Sequence, residues 1–137
     1  MHYSLYTDGG ARGNPGPAAI GGVILGADQQ VVKEFSRYLG ETTNNQAEYR
    51  ALIFGLEKIA TLSGKHSHTT EVRSFLDSEL IVKQMTGEYK VRDINLKPLH
   101  AQVQKLVQRF GRVSFTHVRR EKNAHADSLV NQALDRQ

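Results

Sequence analysis

Four carboxylates in this sequence occupy positions where an apolar side chain would be ordinary, and together they could hold divalent cations. Asp8 follows the run "HYSLYT" and precedes "GGARGNPGP", a stretch rich in glycine and proline. At a repeat of 3.6 residues, Glu48 falls in line with Leu52, Gly55 and Ile59, on the stripe that a helix turns toward a core. Asp77 closes "TEVRSFLD", and Asp127 shares a helical face with Val130 and Leu134. Taken singly, each acid has an ordinary role: Asp8 in a turn, Asp77 as a helix cap, Glu48 and Asp127 as first-turn acids favoured by the helix dipole. Taken together, acids crowded at the ends of apolar stripes retain their protons and weaken the fold unless cations neutralise them. No lysine or arginine is obviously placed to do so. Two Mg²⁺ ions balance four carboxylates in charge, and all-oxygen ligation suits a hard ion that keeps several waters.

The elements that must position these acids follow from periodicity and turn chemistry. Residues 2–8, 18–28 and 31–40 read as three strands, with "ADQQ" as the hairpin turn between the last two. Asp8 is thereby expected where the first strand gives way to a loop. Residues 44–62 carry a helical pattern with Thr43 or Asn44 as N-cap, and "SGKHSH" breaks it. A fourth strand over 70–77, helices over 78–87 and 96–111, a fifth strand over 112–118 and a last helix over 123–134 complete the order. A meander followed by alternating strands and helices requires crossover connections, so an α/β mixed sheet with helices on its faces is expected. Parallel neighbours in that sheet would bring the ends carrying Asp8 and Asp77 together.

Composition narrows the classes. The 137 residues suit one domain, 1–137, and 39% hydrophobic with 23% charged residues is a globular balance. No apolar run approaches a membrane span and no signal-peptide pattern is present, so a cytoplasmic, monomeric protein is expected, with no membrane partner. The absence of cysteine removes disulfides, thiolate catalysis and Cys-based zinc sites. A net charge of +4 favours a polyanionic partner without specifying it.

Four blocks in order, "YTDGGARGNPGPAAIGGVI", "TTNNQAEYRALIFGLE", "LDSELIVKQMTGEYKV" and "HVRREKNAHADSLVNQAL", resemble the motif blocks of type 1 ribonuclease H over nearly the whole chain. The resemblance implies the ribonuclease H-like fold, a five-stranded mixed β-sheet flanked by helices. It implies hydrolysis of the RNA strand of an RNA/DNA hybrid by two Mg²⁺ ions, with Mn²⁺ as a substitute, leaving 3′-hydroxyl and 5′-phosphate ends. Asp8, Glu48, Asp77 and Asp127 match the family's metal-binding carboxylates, Asp8 as the residue bridging both ions. Asn14, Asn45 and Gln46 match positions that contact the hybrid; Asn44 lies nearby and Thr43 is placed to meet a phosphate. Double-stranded RNA remains a second duplex that such a site could accept.

The sequence also departs from the family. "EYKVRDINLK" is short and lacks tryptophan where some members carry a basic protrusion, and a form without a hybrid-binding domain is expected. Glu79 stands where many relatives have glutamine. "HVRREKNAHAD" is a compact connection: His125 is two residues from Asp127, while Arg120 or Glu121 falls nearer the loop position that a histidine occupies elsewhere. An actin-like phosphotransferase needs a second lobe that 137 residues cannot supply. Retention of all four acids argues against a purely binding module.

Overall fold

The computed structural model describes residues 1–137. Strands β1 (His2–Ala11), β2 (Gly16–Leu25) and β3 (Val31–Thr42) form the antiparallel meander, and β4 (Glu71–Leu76) and β5 (Arg112–His117) join it in parallel. The spatial order is β3-β2-β1-β4-β5. Helix α1 (Asn44–Ser63) links β3 to β4 through a short 3-10 helix, Gly64–Thr69. Helices α2 (Glu79–Thr86) and α3 (Lys97–Val107) connect β4 to β5, and α4 (Ala124–Asp135) closes the chain. No helix is long and apolar enough to cross a membrane.

Period-two alternation in β1 and β2 gives the sheet two faces, each with its own helix. On one face Leu5 and Ile20 pack with Leu52, Leu56 and Ile59 of α1, all essentially inaccessible. On the other, Ala19 meets Val130, Ala133 and Leu134 of α4. Close approach explains two of the glycines. A Cβ on Gly9 would lie 2.4 Å from the Ala47 carbonyl of α1, and one on Gly21 would lie 2.5 Å from the Ala126 oxygen of α4.

These glycines correct the expectation for Asp8. Strand β1 does not end there: it continues to Ala11, pairing Asp8 with Gly21 and Ala11 with Ala18. Glycine reads as a breaker when sequence alone is considered, but ladder hydrogen bonds need no side chain, and here its lack of one admits a helix. The second strand likewise starts earlier and stops earlier than its apolar run, at Gly16 and Leu25. Helix α3 ends at Val107, four residues short of the expected limit.

Candidate active site

Each acid reaches the site through a separate element. Strands β1 and β4 pair in parallel up to Thr7 and Leu76, so the next residues, Asp8 and Asp77, emerge side by side. Ser78, not Asp77, caps α2: its hydroxyl accepts from the Ile81 amide at 3.3 Å, leaving the Asp77 carboxylate free for the cleft. Thr43 caps α1 by accepting from the Gln46 amide at 3.2 Å, which sets Glu48 in the second turn, facing the sheet. The Gly9 amide donates to Asp8 Oδ1 at 3.0 Å and lies 3.3 Å from Glu48 Oε1, linking strand and helix.

Asp8, Glu48 and Asp77 each offer an oxygen within 4.8 Å of the others. Asp127, in the first turn of α4, borders the same cleft outside that tight trio, and Asn131 donates to its Oδ2 at 3.5 Å. The cleft measures about 390 Å³, and Asn44, Asn45, Arg12 and Arg120 line it with the acids.

Burial and mutual repulsion govern the electrostatics. Asp8 is pushed up to about 7, chiefly by burial, with Asp77 and Asp127 adding to the rise and the contact with Glu48 opposing it. Glu48 is held well above the usual carboxylate range, first by burial and then by Asp8 and Asp77. Asp77 is also raised by burial, offset in part by the Asn123 amide and by Arg120. Glu48 Oε2 is buried without a hydrogen-bond partner. An all-oxygen set with an orphaned carboxylate oxygen, crowded enough to retain protons, fits a divalent cation, which would reverse each of these shifts.

The polar residues expected to meet substrate divide into two groups. Asn44 and Asn45 line the cleft, and Asn44 Oδ1 also accepts from the Ala11 amide at 2.8 Å. Asn14, Thr43 and Gln46 are set back as supports. Asn14 Oδ1 accepts from the Asn44 amide at 3.0 Å, and Gln46 Oε1 accepts from the Thr42 hydroxyl at 2.7 Å. The Thr43 oxygen serves the cap, although its hydroxyl hydrogen remains available.

In the connection before α4, sequence reasoning named Arg120 only for its place in the loop and missed Asn123. Arg120 is a cation on the cleft, correcting the expectation that none is placed to offset the acids. Asn123 looks like a helix cap but makes no cap bond; it is buried, and its amide donates to the Thr7 carbonyl at 2.9 Å beside Asp77. No periodic signal marks either residue, because each acts from a turn. His125 faces away and pairs with Glu34 of β3.

A more distant contact steadies α1. The Tyr49 hydroxyl donates to Gln84 Oε1 at 2.6 Å, inside the interface of α1 with α2. The His100 Nε2 of α3 lies 3.2 Å from the Gln84 carbonyl oxygen. Three helices therefore meet one residue beyond Glu48.

Comparison with known proteins agrees with this arrangement. A family described as "Reverse transcriptase-like" matches residues 6–133. Ribonuclease HI of Halobacterium salinarum is 43% identical over 130 residues, which are 95% of this chain and 63% of that protein. A bifunctional protein of Mycobacterium tuberculosis is 42% identical over 136 residues, 98% of this chain and 36% of its own. The chain thus spans less than two thirds of the length of these relatives. The solved structure of LC11-RNase H1 in complex with RNA/DNA hybrid superposes with a TM-score of 0.92 at 48% identity, covering 98% of this chain and 97% of that one. Identity at that level over a whole solved domain, with the same sheet and helices, places the chain in the type 1 ribonuclease H family.

Proposed function

We propose that the protein hydrolyses the RNA strand of RNA/DNA hybrids, with divalent ions held by Asp8, Glu48, Asp77 and Asp127, and leaves 3′-hydroxyl and 5′-phosphate ends. The observation that carries this reading is the acid trio, buried Asp8 and Glu48 with half-buried Asp77, within 4.8 Å of one another in a cleft bordered by asparagine amides. Two Mg²⁺ ions, or Mn²⁺ in their place, supply Lewis-acid activation of water and charge stabilisation at the leaving oxygen when bound. Asp8, whose carboxylate has Glu48, Asp77 and Asp127 as neighbours, would hold the cations together with them. Asn44 and Asn45 present groups that both donate and accept, which suits the 2′-hydroxyl that separates RNA from DNA. Arg120 supplies positive charge for a phosphate on the same cleft. With this reading go a cytoplasmic setting and a monomeric protein.

The test is incubation with labelled RNA/DNA hybrid, double-stranded RNA and double-stranded DNA, in Mg²⁺ or Mn²⁺ and in chelator. Cutting confined to the RNA strand of the hybrid, abolished by chelation, is the expected result. Equal cutting of duplex DNA, or undiminished cutting without metal, would overturn the proposal. Cutting of double-stranded RNA would widen the substrate class without changing the site.

A further inference from the structure

Glu48 and Asp77 reach the cleft from separate parts of the chain, and a buried hydrogen bond outside the cleft joins those parts. Asp77 is followed at once by Ser78, the cap of α2, so the placing of that helix fixes the placing of the acid. Tyr49, the residue after Glu48, is fully buried, and its hydroxyl donates at 2.6 Å to Oε1 of Gln84, near the far end of α2. Gln84 stands seven residues beyond Asp77, roughly 10 Å along the helix axis. Of the side-chain hydrogen bonds made by α1, this is the one that reaches α2 or the strand before it.

His100 of α3 closes the arrangement. Its Nε2 lies 3.2 Å from the Gln84 carbonyl oxygen, one of those that the last turn of α2 leaves without a helical partner. Its ring meets the Tyr49 ring edge-on, with centroids 6.4 Å apart. Apolar side chains of the same shape would stabilise the helix interface about as well as a buried polar pair. What the pair adds is direction, because a satisfied buried network fixes one arrangement of the elements that carry it. The load on it is electrostatic: Glu48 and Asp77 repel each other, and without cations that repulsion drives their elements apart.

We propose that Tyr49 and Gln84 are positioning residues for the metal site, their bond holding the Glu48 and Asp77 oxygens within the 4.8 Å that lets them share a cation. Neither side chain hydrogen-bonds an acid: Tyr49 acts through α1 and Gln84 through α2. The inference rests on the reading of the acids as a metal site. It assigns to the bond the spacing of two ligands and not extra stability of the fold.

The experiment is calorimetric titration of the full chain with Mn²⁺ alone, without nucleic acid, beside urea unfolding in chelator. Tyr49→Phe keeps the ring and removes the hydroxyl. Its Mn²⁺ affinity falls about tenfold, the low end of the loss when a group that orients metal ligands is removed. Tyr49→Phe combined with Gln84→Met removes both polar groups, so stability returns toward wild type while Mn²⁺ affinity stays low. A merely structural role would move the two together. The double variant also keeps the test decisive should the orphaned Gln84 stop Tyr49→Phe from folding. Ile59→Val, which loosens the core farther along α1, lowers stability and leaves Mn²⁺ affinity unchanged. Unchanged affinity in folded Tyr49→Phe, recovery of affinity with stability in the double variant, or an equal loss of affinity in Ile59→Val overturns the inference and leaves the metal reading standing. Absence of Mn²⁺ binding by wild type refutes the metal reading, and the inference with it.

Discussion

Gly9 of β1 and Ala47 of α1 are in backbone contact: a single added Cβ on the glycine would lie 2.4 Å from the Ala47 carbonyl carbon and oxygen. That contact seats the helix against the strand one residue from both Asp8 and Glu48. The distance between the two acids is therefore set by a glycine that carries no chemistry of its own.

Gly9→Ala is accordingly expected to destabilise the protein by about 3 kcal/mol, because the obstacle is backbone and cannot rotate aside. Urea unfolding of the purified variant measures this. Wild-type stability in the variant would show that α1 can retreat freely and that its seat does not set the acid spacing.

Asp8→Asn keeps the shape of the side chain and removes its charge. Hydrolysis of hybrid should fall by roughly 10³-fold or more, since metal binding and its charge stabilisation are lost together. The metal-free variant should be more stable than wild type near pH 8, by about 1–3 kcal/mol, because a buried repulsive charge is gone. A folded variant with near-normal turnover would remove Asp8 from the metal site.

Stability without metal should depend on pH in a direction opposite to that of an ion-paired acid. Asp8 gains its proton at about 7 in the fold, against roughly 3.9 in an unfolded chain. Between these values the native state binds more protons than the unfolded state, so stability falls as pH rises. Below the lower value both states are protonated and above the upper both are ionised, so this contribution levels off. Glu48 and Asp77 act in the same direction. Unfolding midpoints at pH 5 and pH 8 in chelator, repeated in saturating Mg²⁺, test the point: metal should shrink the difference. A chelated protein that gains stability toward pH 8, with no change of slope in Asp8→Asn, would contradict the assignment.

Asn45 borders the cleft with an exposed amide. Asn45→Ala should raise KM for hybrid by about five- to tenfold, as expected for one net hydrogen bond of roughly 1 kcal/mol, with little change in unfolding temperature. An unchanged KM would assign recognition of the RNA strand to other groups.

His125 is expected to contribute little to hydrolysis. It lies inside the first turn of α4 and its ring is held by Glu34, on the side away from the acids. General acid and base groups typically supply about 10²–10⁴-fold, so His125→Ala should cost less than about tenfold in kcat. A loss within that larger range, with fold and hybrid binding intact, would mean that the helix end opens to bring the ring into the cleft.

The acids were legible in the sequence because each interrupts a pattern that local geometry sets. Glu48 lies on the buried stripe of a 3.6-residue repeat, and it is buried in the fold. Asp77 follows an alternating strand, and the fold sets that strand in parallel beside β1. The succession of elements, the buried stripe of α1 and the choice of four carboxylates as candidates needed only periodicity, turn residues and the family blocks, all of which are local along the chain.

Long-range packing decided the rest. Local preference reads "DGGA" as a place to leave a strand, yet pairing with β2 carries β1 to Ala11, because the glycines make room for α1 on one face while the ladder continues. Asn123 and Arg120 gain their roles by lying across the end of β1 and β4, over a hundred positions from Asp8 in the chain, and a turn has no repeat to announce which way its side chains point. The same reason covers Tyr6 and Phe75, whose rings stack with centroids 4.7 Å apart across β1 and β4. Adjacent aromatic residues in separate strands become one stacking surface only after register is set, and register belongs to the folded sheet.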